Sequence, residues 1–420
     1  MYGGLEVASV TYGSGNCGNA LANALVIVGV PIQEAYPRLF LRFLRFGLLA
    51  WGGPVAQIAM IREELVEREK WISRERFNRV LSIYQVLPGP EAHELCVYFG
   101  YAVRGRLGGL LAGLGFMLPG FVLMLALSWA YVRFGVAAIA PAGLFYGFQA
   151  AVLALIVRAV YRIGRHALTD PWLWAIGAAV AASDLAGVHF GLTLVVAGLA
   201  YTSVRRGHLL RAVVIVGAGV VAALVVPGLR GIKDAPTIMQ AASVAPSIAR
   251  LFGSGLLAGL LTFGGAYTVI PFLRQQAVVV GAWMTDGQFM DGLALSGILP
   301  APLVIFGTFV GYLGGGVAGA LAVTIGIFLP AFAFTLVGHG AVEKLVETPV
   351  LHAFLDGVTA GVVGLIVATT IRVAPTAVPD LPAWLIATLS FVILSVWRSK
   401  MAIAVAVLSA GGLGVVIARI

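Results

Sequence analysis

The feature that most constrains this chain is a series of long apolar segments, which runs from residue 39 to residue 418. A transmembrane helix needs about 20 predominantly apolar residues, although tilted or paired helices can be shorter. The segments lie near residues 39–60, 80–103, 107–132, 141–163, 172–187, 189–204, 209–227, 247–271, 288–313, 317–340, 353–371, 381–397 and 401–418. The sequence therefore predicts an all-α integral membrane protein with about 13 transmembrane helices.

The composition excludes a soluble globular protein. Only 11% of the 420 residues are charged, whereas soluble domains carry about 25%, so polar groups could not cover the surface. The net charge of +9 does not indicate nucleic-acid binding, because no basic patch is interleaved with aromatic residues. Lys and Arg lie mostly at the ends of apolar segments, where they orient membrane proteins.

The cysteines and the N-terminal segment indicate no further chemistry. Cys17 and Cys96 are far apart and belong to no CxxC or Cys/His cluster. This pattern predicts free thiols, no disulfide framework, and no metal or cofactor. Residues 1–30 lack the positively charged start of a secretory signal, and we interpret residues 1–37 as an N-terminal extension.

The two halves of the chain repeat the same pattern of tryptophans, prolines and glycine pairs. At an offset of 212 residues, 51–53 matches 263–265, Trp71 matches Trp283, and Pro88 and Pro90 match Pro300 and Pro302. Unrelated apolar segments would share Leu and Val, but not these residues in register. The sequence predicts a first repeat at 38–208, a linking helix and loop at 209–246, and a second repeat at 247–420.

The number of crossings between equivalent points decides the relative orientation of the repeats. Six passes for the first repeat and one for segment 209–227 give an odd number, which predicts inverted topology. Most basic loops agree with this arrangement, but the loop at 62–79 places six basic residues on the side that should have few. Two alternatives remain: the five glutamates of this loop accompany it across the membrane, or segment 39–60 is re-entrant.

Paired proline motifs are the first candidates for a binding site. Pro88-Gly89-Pro90 and Pro300-Ala301-Pro302 lie within equivalent apolar segments. Each proline removes a backbone N–H and clashes with the preceding turn, so both helices should break there. Paired broken helices in inverted repeats indicate a transporter's substrate site, where half-helix N-termini face an anion. The alternative is a pair of kinks that only shape the bundle.

Glycine pairs and matched arginines are the next candidates. Gly52-Gly53-Pro54 and Gly264-Gly265 either let backbone amides approach a ligand or allow close helix packing. Arg62 and Arg274 match each other just beyond these glycines. They are candidates for binding a tetrahedral oxyanion, with interfacial anchoring as the alternative.

Ionisable residues inside apolar segments form a further group. Glu91, His93 and Glu94 follow the first proline break, and the second repeat has only apolar residues there. Such side chains indicate function, because an unpaired one costs several kcal/mol in a membrane. The cluster predicts a proton relay or a gate, or else a polar group that hydrates the broken helix end. Arg158, where the second repeat has Ala368, either pairs with a carboxylate or lines an anion path.

Five stretches of the chain match the motifs of a known family. They are FLRFGLLAWGGPVAQIAMIREE at 43–64, KWIS at 70–73, YQVLPGPEAHEL at 84–95, LTFGGAYTVIPFLRQQAV at 261–278 and ILPAPLVIFGTFVGYLGGG at 298–316. The sequence resembles the long-chain, two-domain form of the chromate ion transporter family from about residue 38 to the C-terminus. The resemblance implies oxyanion export, with chromate as substrate and sulfate as its mimic. Gln85, in the third of these stretches, is a further substrate-binding candidate. In the second-half motif, Ala301 replaces the glycine of the first-half motif.

These features together predict a secondary transporter, not an enzyme, that exports chromate across the inner, cytoplasmic membrane and gives chromate resistance. The expected partners are the oxyanion and the lipid bilayer, with a homodimer left open. The alternatives are transport or exchange of sulfate or another oxyanion, a membrane enzyme that uses Glu91 and Glu94, and a subunit of a larger complex. The sequence contains no GxxxxGK[ST] motif, so ATP-driven transport would need a separate ATPase.

Overall fold

The computed structural model describes residues 34–135, 141–226, 246–262, 265–337, 348–397, 399 and 401–419. Within these ranges the chain is almost entirely helical. Four helical stretches are long and apolar enough to cross a membrane: Glu91–Phe134, Leu144–Ala167, Leu303–Leu336 and Pro349–Ala377. Most of the predicted extension at 1–37, with Cys17, lies outside the described residues.

The described helices fall into two equivalent series separated by one extra helix. The first series is α1 (Tyr36–Leu48), α2 (Pro54–Ile61), α3 (Arg74–Val86), α4 (Glu91–Phe134), α5 (Leu144–Ala167), α6 (Pro171–Leu185) and α7 (Phe190–Arg205). The extra helix is α8 (Leu209–Val225), and the second series is α9 (Ile248–Leu260), α10 (Val269–Arg274), α11 (Asp286–Gly297), α12 (Phe306–Leu336), α13 (Pro349–Ala377), α14 (Leu381–Val396) and α15 (Ala402–Ile417). A π-helical segment follows α2 at Arg62–Arg68 and α10 at Gln275–Val280.

Equivalent helices begin with equivalent capping residues. Ser73 caps α3 and Thr285 caps α11, each accepting a hydrogen bond from the backbone N–H three residues later. Asp170 and Asp380 cap α6 and α14 in the same way. A side-chain cap satisfies a backbone N–H that has no partner within the helix, and stabilises it by about 1 kcal/mol. These matched caps confirm the internal repeat.

Helices α4 and α12 each fold back on themselves at one glycine. Gly105 and Gly316 have φ angles of 61° and 60°, a left-handed conformation that residues with a Cβ adopt at a cost. The arms on either side of Gly105 pack so closely that a Cβ on Gly100 would lie 2.4 Å from the carbonyl oxygen of Gly108. The first arm of α4 is therefore 91–103 and the second arm is 106–134.

The first half of each repeat forms two helical hairpins. In the first hairpin, α1 and α2 run antiparallel, and Arg42 in the middle of α1 pairs with Glu69, which follows the π-helical segment after α2. In the second hairpin, α3 and the first arm of α4 run antiparallel, and the rings of Phe77 and Phe99 lie 6.4 Å apart. The ends of both hairpins, which we call the base of the repeat, therefore lie together, since Arg104 also donates to the Glu34 carbonyl at 2.7 Å.

The hairpins correct the predicted course of four apolar segments. The breaks expected at the glycine pair 52–53 and at the proline motifs 88–90 and 300–302 are confirmed, since no helix runs through them. The segments predicted as spans near 39–60, 80–103, 247–271 and 288–313, however, do not continue as single broken helices. Each folds back into a hairpin of two short helices, because the chain reverses direction at its irregular tip.

The long arms of α4 and α12 pack antiparallel, which places the two bases at opposite ends of the molecule. Leu336, at the end of α12, lies against Gly109 near the start of the second arm of α4. At the other end of that arm, the Tyr131 hydroxyl donates to Asp291, in the second hairpin of repeat two, at 2.8 Å. The hairpin tips of the two repeats therefore point toward each other in the middle of the protein.

The last two helices of each repeat pack on the other repeat. Helices α6 and α7 lie against α13, whereas α14 and α15 lie against α5. Glycines allow this close approach: a Cβ on Gly364 of α13 would lie 2.2 Å from the Gly177 carbonyl oxygen of α6, and one on Gly147 of α5 would lie 1.9 Å from the Ala410 carbonyl oxygen of α15. Such small-residue contacts drive helix association in lipid. This exchange of the last two helices between the repeats encloses the hairpin tips of both repeats.

Candidate functional site

A cavity of about 320 Å³ lies between the tip of the first hairpin and α5. The polar residues that line it are Arg158, Arg162, Tyr267 and Ser399, and the glycine pair Gly52-Gly53 also borders it. The remaining lining residues are Pro54, Val55, Ala56, Leu155, Ala59, Ala159, Trp397, Ala402 and Ile403. The cavity therefore combines residues of both repeats.

The glycine tip presents the start of α2 to this cavity. Gly52 and Gly53 have φ angles of 88° and 78°, which let the chain turn sharply before Pro54 begins the helix. The Gln57 amide closes the turn by donating to the Ala50 carbonyl at 2.9 Å. The N-terminus of a helix carries partial positive charge and unpaired N–H groups. The tip is therefore suited to an anion.

Two arginines supply the positive charge of the cavity. Arg158 and Arg162 lie four residues apart on α5, so they share one face of the helix. Neither forms an ion pair within the described ranges of the chain. Glu91 is the carboxylate that interacts electrostatically with Arg162. Two guanidinium groups without a close counter-ion make this site attractive to an anion with several oxygens.

The proline tips lie beside the cavity but do not line it. Gly89, with a φ angle of 155°, donates its N–H to the carbonyl of Thr262 at 2.8 Å, which belongs to the first hairpin of repeat two. Ala301 lies against Gly120 of α4, where the close approach leaves no room for a Cβ on the glycine. These motifs join the hairpin tips of the two repeats to each other and to the long arms.

The predicted ionisable cluster is largely enclosed. His93 is fully buried, and its ring lies 4.7 Å from the Phe328 ring and 4.8 Å from the Phe332 ring, measured between centroids. The Glu94 carboxylate is also fully buried, turns back toward Gly89, and finds no hydrogen-bond partner within the part of the chain that the structure describes. Glu91 remains half-buried at the start of the helix. The cluster therefore extends from the proline tip, where Glu94 lies beside Gly89, to Glu91, which interacts with Arg162.

Arg62 and Arg274 do not line this cavity, and each is paired elsewhere. Arg62 pairs with Glu67 at 3.2 Å and lies over the Phe77 ring. The pKa of Glu67 is lowered, first by its hydrogen bond from Arg74 and also by Arg62. Arg274 makes two hydrogen bonds to Asp286, at 2.7 and 3.0 Å. Both arginines are already paired at the bases of their repeats, which is the anchoring alternative.

The other sequence candidates are divided between the tip and the surface. Gln85 is exposed on α3 and is not among the residues that line the cavity. Gly265, with a φ angle of 131°, forms the tip of the first hairpin in repeat two, whereas Gly264 lies outside the described residues. Pro300 and Pro302 are buried. Within the described ranges, no group of His, Cys, Asp and Glu is placed to hold a metal ion.

Sequence reasoning missed three residues that line the cavity. The i, i+4 spacing could have joined Arg162 to Arg158 on one helix face. Tyr267 follows the second glycine pair by two residues, and its proximity to Arg158 depends on the contact between repeats. Ser399 lies in the connection between α14 and α15, and no sequence signal places it near the glycine tip of the other repeat.

The chain matches one protein family over both repeats. A family profile described as "Chromate transporter" matches residues 37–248 and again residues 249–415. A chromate transport protein of Pseudomonas aeruginosa is 54% identical over 91% of this chain and 92% of that protein. A chromate transport protein of Cupriavidus metallidurans is 32% identical over 85% of this chain and 87% of its own length. No solved structure matches.

We expect His93→Phe to preserve or raise the melting temperature in detergent. The substitution removes two buried ring nitrogens that form no hydrogen bond of normal geometry among the described residues, although the Gly113 backbone interacts with the ring. Replacing an unsatisfied polar group by an apolar one of similar shape can recover about 1–3 kcal/mol. The matched control is His189→Phe, which removes the 3.1 Å cap to the Gly191 N–H and should cost about 1 kcal/mol. A lower melting temperature for His93→Phe than for the control would contradict this prediction.

Proposed function

The chain belongs to the chromate transporter family, and we propose that it exports chromate across the inner membrane as a secondary transporter and so gives chromate resistance. The observation that carries this proposal is the cavity between the glycine tip and α5, with two arginines that have no ion-pair partner among the described residues. Chromate is a tetrahedral dianion. Its four oxygens suit the planar donor groups of arginine, which bind oxyanions through two N–H groups at once.

The charge of the cavity supports an anion of this size and charge. At a separation of 4 Å and an effective dielectric constant of 20, two unit charges interact by about 4 kcal/mol. Arg158 and Arg162 both offer such interactions, and the start of α2 adds the partial charge of a helix N-terminus. We propose Gly52, Gly53, Arg158 and Arg162 as the substrate-binding residues. The tips at 88–90 and 300–302 hold the hairpins in position around them.

The ionisable cluster is proposed to modulate transport. Glu91 is close enough to Arg162 to interact electrostatically, so its charge competes with that of a bound anion. His93 and Glu94 lie behind it and are closed off from the cavity by burial. A change in the position of the second hairpin would move this carboxylate relative to the arginine. The cluster can therefore adjust how tightly the cavity holds its anion.

We propose that both hairpins of each repeat are re-entrant, which places the loop at 62–79 on the cytoplasmic side. The base of repeat one then carries Arg42, Arg104 and the six basic residues of that loop on one side, as the positive-inside rule requires. Four crossing helices in each repeat, together with α8, give nine crossings. Five crossings separate equivalent points, so the repeats are inverted. The division into 38–208, 209–246 and 247–420 remains our proposed domain organisation.

The first prediction concerns this topology. Arg68→Cys and Val280→Cys stand at matched positions in the π-helical segments of the two repeats, and both sites are exposed. An impermeant thiol reagent should label Arg68→Cys only from the cytoplasmic side and Val280→Cys only from the opposite side. The background chain carries Ala in place of Cys17 and Cys96. Labelling of both sites from one side would contradict inverted repeats.

The second prediction concerns the driving force. A dianion that leaves a negative interior gains about 2.3 kcal/mol per charge per 100 mV, or roughly 4.6 kcal/mol at 100 mV. At about 1.4 kcal/mol per tenfold gradient, this energy supports outward pumping over about three orders of magnitude. We expect chromate flux in proteoliposomes of the purified chain to follow a potassium-diffusion potential without a pH gradient, with sulfate as the competing anion. Flux that followed only a pH gradient would assign coupling to Glu91, His93 and Glu94.

The third prediction concerns the arginines of the cavity. Arg158→Gln and Arg162→Gln should each lower chromate flux by about tenfold or more, because a hydrogen bond to a charged group is worth about 1.5–3 kcal/mol. Arg165→Gln is the matched control on the same helix, since Arg165 lies over the Tyr161 ring outside the cavity. Equal flux in all three variants, at equal amounts of folded protein, would exclude this cavity as the substrate site.

A further inference from the structure

The second repeat contains a closed counterpart of the arginine cavity. In the open cavity, α5 contributes Leu155, Ala159 and Arg162. At an offset of 210 residues, α13 contributes Leu365, Thr369 and Arg372 to a second cavity, beside the first hairpin of repeat two. The same three positions of equivalent helices therefore line both cavities, each beside the first hairpin of its own repeat.

The two cavities differ in volume and in the partner of the arginine. The second cavity has a volume of only about 10 Å³, compared with about 320 Å³ for the first. Arg372 forms an ion pair with Asp184, with 3.4 Å between Nε and Oδ2, and also donates a hydrogen bond to the Asp184 backbone carbonyl. Arg274 adds a second positive charge near this carboxylate.

The sequence explains why only one of the cavities is closed in this way. Asp184 lies in the last turn of α6, and the matching position of α14 at the same offset is Leu394, which is fully buried. The offset is reliable here, because it also relates the caps Asp170 and Asp380. Arg162 consequently has no carboxylate from α14, and the space beside it stays open.

We propose that Arg372 is a second anion-binding position at the opposite end of the pathway, and that Asp184 occupies it in this conformation in place of the transported anion. This inference rests on the proposed function, because it gives the same anion a place near each side of the membrane. A carboxylate and a tetrahedral oxyanion present similar oxygens to a guanidinium group. When Asp184 withdraws, Arg372 presents its guanidinium group to an anion that arrives from the first cavity, beside the Arg274–Asp286 pair.

The exchange of helices between repeats connects the two positions. Asp184 belongs to α6 of repeat one, but it contacts Arg372 on α13 of repeat two, because α6 packs against α13. Arg162 belongs to repeat one but faces the α14–α15 connection through Ser399. A movement of the hairpins relative to this exchanged scaffold can therefore open one cavity as it closes the other.

Thiol labelling tests this inference without measuring transport. Thr369→Cys and Ala159→Cys introduce matched thiols into the closed and open cavities, in a chain with Ala in place of Cys17 and Cys96. In nanodiscs, a small neutral methanethiosulfonate should modify Ala159→Cys at least tenfold faster than Thr369→Cys. Adding Asp184→Asn should accelerate modification of Thr369→Cys at least tenfold, because the ion pair that closes the cavity is lost. Asp380→Asn removes the matching carboxylate charge at the cap of α14, away from this cavity, while Asn still caps the helix. This control should leave the rate unchanged.

Sulfate, a tetrahedral dianion that does not oxidise thiols, distinguishes an anion site from a simple gate. In the Asp184→Asn background it should slow modification of Thr369→Cys at least threefold relative to chloride at equal ionic strength. Arg372→Gln also breaks the ion pair and should give fast modification that sulfate does not slow. This variant keeps the test decisive if Asp184→Asn fails to fold.

Two results would overturn the inference. The first is a Thr369→Cys rate that neither Asp184→Asn nor Arg372→Gln increases, and the second is an equal effect of sulfate with and without Arg372. Labelling is independent of flux, so a chain that gave the expected labelling pattern but carried no chromate in proteoliposomes would overturn only the proposed function.

Discussion

The irregular backbone at the hairpin tips is the constraint on which the rest of this structure depends. In the interior of a membrane protein, an unsatisfied N–H or C=O group costs several kcal/mol, so non-helical backbone must be enclosed by protein or by a wet cavity. The Gly89 N–H meets this requirement through the Thr262 carbonyl of the other repeat, and the Ala50 carbonyl does so through Gln57. The antiparallel long arms and the exchanged terminal helices then cover both sets of tips. A single repeat would leave the Gly89 N–H without this partner and the tips without this cover.

The same tips place the chemistry of the proposed site. A broken helix offers N–H groups and a partial positive charge at mid-protein depth, where an intact helix offers only side chains. Gly52 and Gly53 present such an end to Arg158 and Arg162, so backbone and side chains from one repeat meet across a single cavity. The near-symmetry of the repeats produces a matching position at Arg372. The difference of one residue, Asp184 against Leu394, leaves one position paired and the other open.

Several features of this architecture could be predicted from the sequence. The duplication, the breaks at Pro88 and Pro90, and the glycine interruptions follow from residues whose backbone preferences are local. The direction of the chain after each break does not follow from such local preferences, because a broken helix can continue across the membrane or turn back. The partner of Arg62 was also left open by the sequence: its repeat counterpart and its charge suggested anion binding, whereas in the structure Glu67, five residues later in the same π-helical segment, pairs with it.

The sequence alone determined the membrane class, the two repeats and the family, because hydropathy, in-register prolines and motif matches are properties of the chain itself. Only the tertiary structure decided which polar groups meet. Tyr267 reaches Arg158 from the other repeat, and Ser399 reaches the glycine tip from the connection between α14 and α15. Arg62 and Arg274 withdraw into ion pairs, whereas Arg162 is left without one among the described residues. The positions of Tyr267 and Ser399 depend on the antiparallel packing of the repeats and on the exchange of their last helices. Such long-range contacts are set by the packing of the whole molecule, and no local pattern of residues encodes them.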